Sequence, residues 1–271
     1  MIKRIVLIAL LLVAAVSSPA GAATQPLNFA VIQPGQPGDS AAAQPVMDAL
    51  AAYLQQRLAN SSVTGNYYNR TDDALAAVAK ERPQWAIVSL GIFIEHGVDL
   101  AMTPIASTLP TGAEQERFYL LVAKEHGDDW RKLQGRVEGT MLFQDRAVAR
   151  LLFDEPSGQL PFVLQGTFNP LRAVRKVARG QLAGVVLDRL QFQAMQALPL
   201  MGQLKSIHCS VELPTAAVVW FGEPDQRAQR LAEVLQAMAS DPDAGELLTL
   251  LQSAGFAPPD PRLADYRDLL Q

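Results

Sequence analysis

The amino-terminal part of the chain alternates short apolar segments with longer segments of helical periodicity. Strands are expected at 27–33, 63–68 and 85–90, with a helix at 41–58 and a second helix that Thr71 would cap. Strands that alternate with helices in this way predict a parallel sheet with helices on both faces. Ligands of such sheets bind beyond the carboxyl ends of the strands.

The same alternation returns farther along the chain. Strands are expected at 102–108, 117–125, 136–145, 161–168, 183–188 and 215–222, and helices at 146–152, 169–179, 224–239 and 243–253. We therefore predict an α/β fold with two lobes, each a mainly parallel sheet flanked by helices. Lobe 1 would comprise residues 24–121 plus 209–271, and lobe 2 residues 122–208, with a hinge where the chain crosses near 119–124 and 206–213.

Residues 1–23 have the order of a secretory signal peptide. Two basic residues precede an apolar run of 12 residues at 5–16, and small residues follow at 20–22. A membrane-spanning helix needs about 20 apolar residues, so the run is too short for an uncleaved anchor. We expect cleavage near Ala22 or Ala23 and a periplasmic location for the mature protein.

Charge and cysteine content argue against two further features. Of the 23 basic residues, Lys3 and Arg4 lie in the signal segment, which leaves 21 basic against 27 acidic residues and a net charge of −6. No basic run offsets this balance, which argues against nucleic-acid binding. Cys209 is the single cysteine, so no intrachain disulfide can form. We expect it to be a buried apolar side chain.

The sequence contains no pattern typical of an enzyme or a metal site. His96, His126 and His208 are scattered, and the chain has no HExxH, GxSxG, GxxxxGK[ST] or GxGxxG motif. His208 and Cys209 are adjacent, but neighbouring side chains on a strand point to opposite faces, so one cannot activate the other. We therefore expect no catalytic activity, cofactor or metal ion.

Five stretches, taken in order, carry a resemblance to a known family. They are FAVIQPGQPGDSAAAQPVMDALAAYLQQRL, DDALAAVAKERPQWAIVSLGIFIEH, WRKLQGRVEG, VARGQLAGVVLD and LLTLLQSAGFAPPDPRLADYRDL. In order and spacing they resemble type II periplasmic solute-binding proteins, in the phosphate/phosphite/phosphonate-binding branch of the ABC-transporter receptors. The resemblance implies a monomer of two lobes, a Venus flytrap, that closes on a small polar or anionic solute.

The resemblance also implies a partner, which is an ABC-type permease. The alternative is a module of the same fold that serves a membrane sensor or an envelope complex without transport. The sequence departs from the family where the second lobe usually carries an anion cradle rich in serine and threonine, because MLFQDRAVAR stands there at 141–150. Asp145 is an acid where a phosphonate needs hydroxyl and N–H donors, which argues against a phosphonate as the solute.

The candidate ligand-binding residues of lobe 1 lie at the expected strand ends. They are Gln33, Ser40, Tyr68, Ser89 and Gly91. Gln33 can both donate and accept a hydrogen bond, and Gly91 lets backbone N–H groups approach a ligand. Ser40 either binds the ligand or caps its own helix. Ser89 and Tyr68 either face the ligand or belong to the core and its edge.

The candidates of lobe 2 are Gln144, Asp145, Arg146 and Asp188. Arg146 either grips an anion in bidentate fashion or pairs on the surface with Asp145 or Asp154. Asp188 either contacts a ligand amine or caps the helix that follows, and the cap is the favoured interpretation. The site is expected to form only when both lobes close.

The signal segment provides a first prediction. Protein isolated from the periplasm is expected to begin at Ala23 or Thr24, because signal peptides are removed after small residues. The intact mass of the purified protein measures this directly. A membrane-bound species that retains residues 1–22 would contradict it.

Overall fold

The computed structural model describes residues 25–58 and 61–271, which form two β-sheets with helices packed on them. The signal peptide expected at 1–23 lies outside this part of the chain. Among the helices of the described ranges, none combines the length and the apolar character that crossing a membrane requires.

The strands alternate with helices from the first residues onward, as the sequence pattern indicated. The strands are β1 Gln25–Ile32, β2 Ser61–Tyr68, β3 Trp85–Val88, β4 Met102–Pro110, β5 Tyr119–Ala123, β6 Gly135–Gly139, β7 Phe162–Gly166, β8 Gly184–Leu187, β9 Leu204–Cys209, β10 Ala217–Phe221 and β11 Ser253–Ala257.

The helices vary in length from one turn to five. They are α1 Ser40–Arg57, α2 Thr71–Glu81, α3 Leu90–His96, α4 Asp145–Val148, α5 Pro170–Ala178, α6 Arg189–Met195, α7 Gln226–Ala237, α8 Gly245–Leu250 and α9 Leu263–Arg267. A 3₁₀ turn at Met141–Gln144 precedes α4, and a π-helical segment at Ala149–Phe153 continues it.

The first sheet has the strand order β11-β4-β10-β3-β1-β2. β1 runs parallel to β2 and β3, whereas β10 runs antiparallel to β3 and β4, and β11 antiparallel to β4. The carboxyl ends of β1, β2 and β3 therefore lie at one edge of the sheet. α1 packs on the sheet through Leu50 and Leu54, which are fully buried.

The second sheet has the strand order β7-β6-β8-β5-β9. β6 runs parallel to β7 and β8, whereas β5 runs antiparallel to β8 and β9. The two-lobed α/β fold predicted from the sequence is confirmed. Both sheets are mixed, because β10 and β11 in the first sheet and β5 in the second run against the other strands.

The chain passes from the first sheet to the second between β4 and β5, and it returns between β9 and β10. The two crossing segments pair with each other: the N–H of Glu116 donates to the carbonyl of Leu213 at 2.9 Å, and the reverse bond is 2.8 Å long. β5 and β9 also pair inside the second sheet. We therefore propose that the lobes are divided within 111–118 and 210–216.

Several local expectations were wrong. β6 ends at Gly139 rather than at 145, so Gln144 and Asp145 lie in helical turns and not at a strand end. The N-cap of α2 is Arg70, which makes no side-chain capping bond, and not Thr71. Cys209 is exposed rather than buried, because β9 is the edge strand of the second sheet.

The largest apolar cluster joins the two lobes. It includes Ile32 and Phe93 of the first lobe and Val137 and Val148 of the second, all of them fully buried or nearly so. A second cluster lies within lobe 1 on the α1 side of the first sheet. The lobes are thus connected by apolar packing as well as by the two crossings.

Gly65 of β2 lies opposite Phe29 of β1, whose ring stacks on Trp85 with the centroids 4.6 Å apart. A Cβ at position 65 would overlap the Phe29 ring, and overpacking of this kind costs about 1–3 kcal/mol. Gly65→Ala is therefore expected to lower the free energy of unfolding by that amount in urea denaturation.

Gly245→Ala is the matched control for this prediction. A Cβ at Gly245 would have no heavy atom within 4 Å, so the substitution should leave the free energy of unfolding unchanged or raise it slightly. Equal losses in the two variants would show that Phe29 does not limit the space at Gly65.

Candidate functional site

The segments that follow β1 and β3 touch lobe 2 directly. A Cβ at Gly35 would overlap the carbonyl oxygen of Thr140, and a Cβ at Gly91 would lie 2.7 Å from the Cβ of Gln144. Gly35 also has a φ of +82°, which glycine adopts without strain. Both glycines are required by this close approach of the lobes.

Gln144 reaches from lobe 2 into lobe 1. Its side chain is buried, with 2% of its surface exposed, and its Nε2 donates to the hydroxyl oxygen of Thr71 at 3.0 Å. Thr71 is the first residue of α2, next to the carboxyl end of β2. A buried amide is stable only when it is hydrogen-bonded, so this bond fixes the position of the side chain between the lobes.

Glu95 of α3 makes a second polar contact between the lobes. Its Oε1 accepts a hydrogen bond from the N–H of Ala147 at 3.0 Å. Burial, and after it the negative charge of Asp145, raises the pKa of Glu95. We refer to the following set of residues as the interlobe contact: Gly35, Thr71, Gly91 and Glu95 of lobe 1, with Thr140, Gln144, Arg146 and Ala147 of lobe 2.

Ser89 caps α3 at the carboxyl end of β3. Its side-chain oxygen accepts a hydrogen bond from the N–H of Ile92 at 3.3 Å, and its own N–H donates to the carbonyl of Ile32. The cap uses an oxygen lone pair, so the hydroxyl proton can still be donated elsewhere. Ser89 is half-buried beside Gly91, at the edge of the interlobe contact.

The other three candidates of lobe 1 lie around the ends of β1 and β2. Ser40 is not the cap of α1, which is Asp39, and its hydroxyl donates to the carbonyl of Tyr67 at 2.7 Å. The N–H of Gln33 donates to the carbonyl of Tyr68 at 2.9 Å. Burial, and after it the nearby Glu81, raises the pKa of Tyr68, whose ring packs at the edge of the apolar cluster that joins the lobes.

Asp145 and Arg146 open the helical run 145–153. Asp145 is half-buried and Arg146 is exposed. Within residues 25–58 and 61–271, neither side chain has an oppositely charged group within 4 Å. Surface pairing of Arg146 with Asp145 or Asp154 is therefore not observed, and the guanidinium lies at the rim of the interlobe contact.

Asp188 caps α6, as favoured from the sequence. Its Oδ1 accepts from the N–H of Gln191 at 2.7 Å. Glu116, on the crossing segment, accepts at Oε1 from the N–H of Arg189 at 2.9 Å and from that of Arg117 at 2.8 Å. Two half-buried carboxylates thus lie at the amino end of one helix, next to the chain crossings.

The pKa values of both carboxylates are raised, so both groups are harder to ionise than in water. Burial first, and the negative charge of Asp188 second, raise the pKa of Glu116 to about 7. Burial raises the pKa of Asp188 to about 6. Two arginines partly offset these charges, but both are shared with Glu212, whose Oε1 lies 3.2 Å from Arg189 and 3.7 Å from Arg117.

A polar connection runs from the chain crossings to the interlobe contact. Gln191, which follows the Asp188 cap, donates from Nε2 to the hydroxyl of Thr140 at 2.8 Å. Thr140 is buried just beyond the end of β6. The Oε1 atom of Gln191 is buried and has no hydrogen-bond partner among the described residues.

The structure brings only some of the selected residues together. Gly91 and Gln144 touch, and Ser89 and Arg146 lie beside them, whereas Asp188 is displaced toward the chain crossings. The sequence interpretation missed Glu95, Thr71, Thr140, Glu116 and Gln191. One signal for Glu95 was available, since it is the single acid in the otherwise apolar helix LGIFIEH.

Comparison with known proteins places the chain among transport receptors. Residues 37–266 match the family model described as "ABC transporter, phosphonate, periplasmic substrate-binding protein". No curated protein sequence matches the chain.

Solved structures share the fold at low sequence identity. XAC2383 from Xanthomonas citri, bound to ATP, is 18% identical, with a TM-score of 0.69 over 90% of this chain and 96% of that chain. A binding protein component of an ABC phosphonate transporter from Pseudomonas aeruginosa is 14% identical, with a TM-score of 0.64 over 91% and 85%. A Prochlorococcus marinus protein in complex with methylphosphonate is 11% identical, with a TM-score of 0.56 over 90% and 97%.

The carboxylates of Glu116 and Asp188 predict how stability depends on pH. Because their pKa values are raised in the folded protein, ionisation of the two groups in the unfolded chain opposes folding. This unfavourable effect begins as the pH rises above their ordinary pKa values of about 4, grows until the folded pKa values of about 7 and about 6 are reached, and is constant at higher pH. We compare each of the variants Glu116→Gln and Asp188→Asn with the wild type. The difference in the free energy of unfolding, variant minus wild type, is expected to be larger at pH 7.5 than at pH 4.5 by on the order of 2 kcal/mol.

Urea denaturation at pH 4.5, 6 and 7.5 measures this difference. Asparagine caps a helix as well as aspartate does, so Asp188→Asn changes the charge and keeps the cap. Glu233→Gln is the control, since Glu233 pairs with Arg230 on the surface of α7, and its profile should run parallel to the wild type. Parallel profiles for all three variants would contradict the raised pKa values.

Proposed function

The chain belongs to the family of periplasmic substrate-binding proteins of phosphonate ABC transporters, and from this membership we propose that it captures a small polar or anionic solute between its lobes and delivers it to an ABC-type permease. The family is one of substrate-binding proteins rather than enzymes. The proposal therefore contains binding, closure and release, and no chemical step.

One observation carries the proposal. The carboxyl ends of the parallel strands of both sheets meet at the interlobe contact, because the segments after β1 and β3 touch the segment after β6. Ligands of α/β sheets bind at such strand ends. A solute there would be reached by groups of both lobes at once, as closure on a ligand requires.

Four of the selected residues are assigned to the solute. Ser89 would donate its hydroxyl proton, Arg146 would supply its guanidinium, Gln144 would offer an amide, and Gly91 would allow close approach. Gln33, Ser40, Tyr68, Asp145 and Asp188 are kept as a proposed outer lining. The hydroxyl of Ser40 and the carboxylate of Asp188 already make hydrogen bonds within the chain.

The charges near Arg146 favour a solute of low net charge. Asp145 and Arg146 both lie close enough to Glu95 for their charges to act on its carboxylate. A solute with two negative charges would meet both carboxylates and a single guanidinium. We therefore propose a polar solute with at most one negative charge, and we expect methylphosphonate and inorganic phosphate to bind more weakly than the natural solute.

A second candidate function is favoured by a specific observation. The side chain of Gln144 lies between the lobes, and Phe143 packs against Gly166 and near Gly35, so the chain's own groups take up the space at the strand ends. A module of this fold that serves a sensor or an envelope complex needs no solute there. Stimulation of the ATPase activity of the cognate permease by the purified protein would separate transport from this alternative.

Substitutions at Ser89 test the proposed site. Ser89→Ala removes both the α3 cap and the donated proton, whereas Ser89→Asp keeps a cap of equal quality and cannot donate. Ser89→Ala is expected to weaken solute binding about three- to tenfold, since one hydrogen bond contributes roughly 0.5–1.5 kcal/mol. Ser89→Asp is expected to weaken it at least as much, because it adds a carboxylate to a site that already holds those of Glu95 and Asp145. Only Ser89→Ala should also lower the melting temperature.

The solute for this titration comes from native mass spectrometry of protein purified from the periplasm, with methylphosphonate and inorganic phosphate as comparison probes. Calorimetric titration and thermal melts of the same samples measure both effects. Unchanged affinity in both variants would remove Ser89 from the site. The absence of any retained molecule and of any heat with either probe would contradict solute capture.

A further inference from the structure

We propose that the lobes are latched closed by the chain's own groups, and that a solute must release this latch before it can bind. The latch consists of the Glu95 carboxylate on the N–H of Ala147, and of the Gln144 amide on Thr71 beside Gly91. The inference rests on the proposed function only for the statement that the solute enters between the lobes.

The Glu95 contact joins elements that opening must separate. Glu95 lies on α3 in lobe 1, and its Oε1 accepts from the N–H of Ala147 in lobe 2 at 3.0 Å. The first N–H groups of a helix have no partner within the helix. A carboxylate there makes charge-assisted bonds, so opening would leave both the carboxylate and these N–H groups to water.

The Gln144 contact is equally specific to the closed arrangement. Its Nε2 donates to Thr71 of α2 at 3.0 Å, and its Cβ would lie 2.7 Å from a Cβ at position 91. Only glycine at position 91 admits the side chain this closely. Gln144 of lobe 2 therefore depends on two features of lobe 1, which are the hydroxyl of Thr71 as a hydrogen-bond acceptor and the space left by the missing side chain of Gly91.

Apolar packing adds to these polar bonds. Leu90 and Ile94 of α3 belong to the same continuous buried cluster as Ala147, Val148 and Leu151 of the helical run 145–153. Closing the lobes thus removes apolar surface from water, which favours the closed form without any contribution from a solute.

The latch has a consequence for binding. For a solute that enters only the open form, the apparent dissociation constant equals the dissociation constant of the open form divided by the fraction of molecules that are open. A latch that keeps one molecule in ten open therefore weakens the apparent affinity about tenfold. In this respect Glu95 competes with the solute, because the N–H of Ala147 is available to a solute only after Glu95 leaves it.

Distances between the lobes in solute-free protein test the latch. Spin labels are placed at Asp72→Cys on α2 and Arg172→Cys on α5, both exposed positions, in a Cys209→Ser background that removes the single native cysteine. Double electron–electron resonance should give one narrow distance distribution for this otherwise wild-type protein. Glu95→Ala and Thr71→Val, each added to it, should shift the distribution to longer distances and broaden it.

Glu233→Ala is the matched control, because Glu233 pairs with Arg230 inside lobe 1 and does not touch lobe 2. Its distance distribution should equal that of the labelled parent. A parent that is already broad and long, or Glu95→Ala and Thr71→Val variants that stay narrow, would overturn the latch.

The same samples separate this inference from the proposed function. The distance measurement needs no solute, so it tests the latch independently of solute binding. Titration of the opened Glu95→Ala variant with inorganic phosphate and methylphosphonate then addresses capture. Failure to bind either probe or the molecule retained from the periplasm, with the shift in distance still present, would contradict solute capture and leave the latch supported.

Discussion

The contact of Gln144 with Gly91 and Thr71 determines how the two lobes meet. It places the turn after β6 directly against the segments after β2 and β3. Because the side chain is buried, its amide has to be paired, and Thr71 is the partner that lobe 1 supplies. The bond between Glu95 and Ala147 and the apolar packing of α3 on the helical run 145–153 follow from the same approach of the lobes.

Local sequence patterns determined most of the fold. Short strands with an apolar centre, such as β3 and β10, and helices such as α1 and α5 have patterns that local propensity and burial reinforce. The expected end of β6 was wrong because MLFQ continues the apolar pattern of a strand. Gly139, whose Cβ would lie 2.7 Å from the carbonyl oxygen of Val186, ends the strand in a close approach that the sequence does not reveal. β9 and β11 were not expected, since their residues lack a clear alternation.

The site was less predictable than the fold, for a physical reason. Ser89 and Gly91 were proposed because strand ends and glycines are visible in sequence, whereas Gln144 was proposed for a strand end that the structure does not have. Glu95 acts on an amide 52 residues away, and Glu116 acts on the start of a helix 73 residues away. Such pairs depend on how the lobes are placed, and no local pattern encodes that placement. Residues 141–150 lack the hydroxyl-rich cradle of the family. In the structure, this segment instead makes contacts with lobe 1, through the Gln144 side chain and through the Ala147 N–H that is bonded to Glu95.

Amide hydrogen exchange at Ala147 tests the central claim most directly, because the first-turn N–H of a helix has no partner of its own. In solute-free protein at neutral pH, the account predicts that this amide is protected to the same extent as amides in the adjoining apolar cluster, and that Glu95→Ala removes the protection of Ala147 while β3 stays protected. An Ala147 amide that exchanges in the wild type as fast as an unstructured peptide would show that Glu95 does not hold the lobes together.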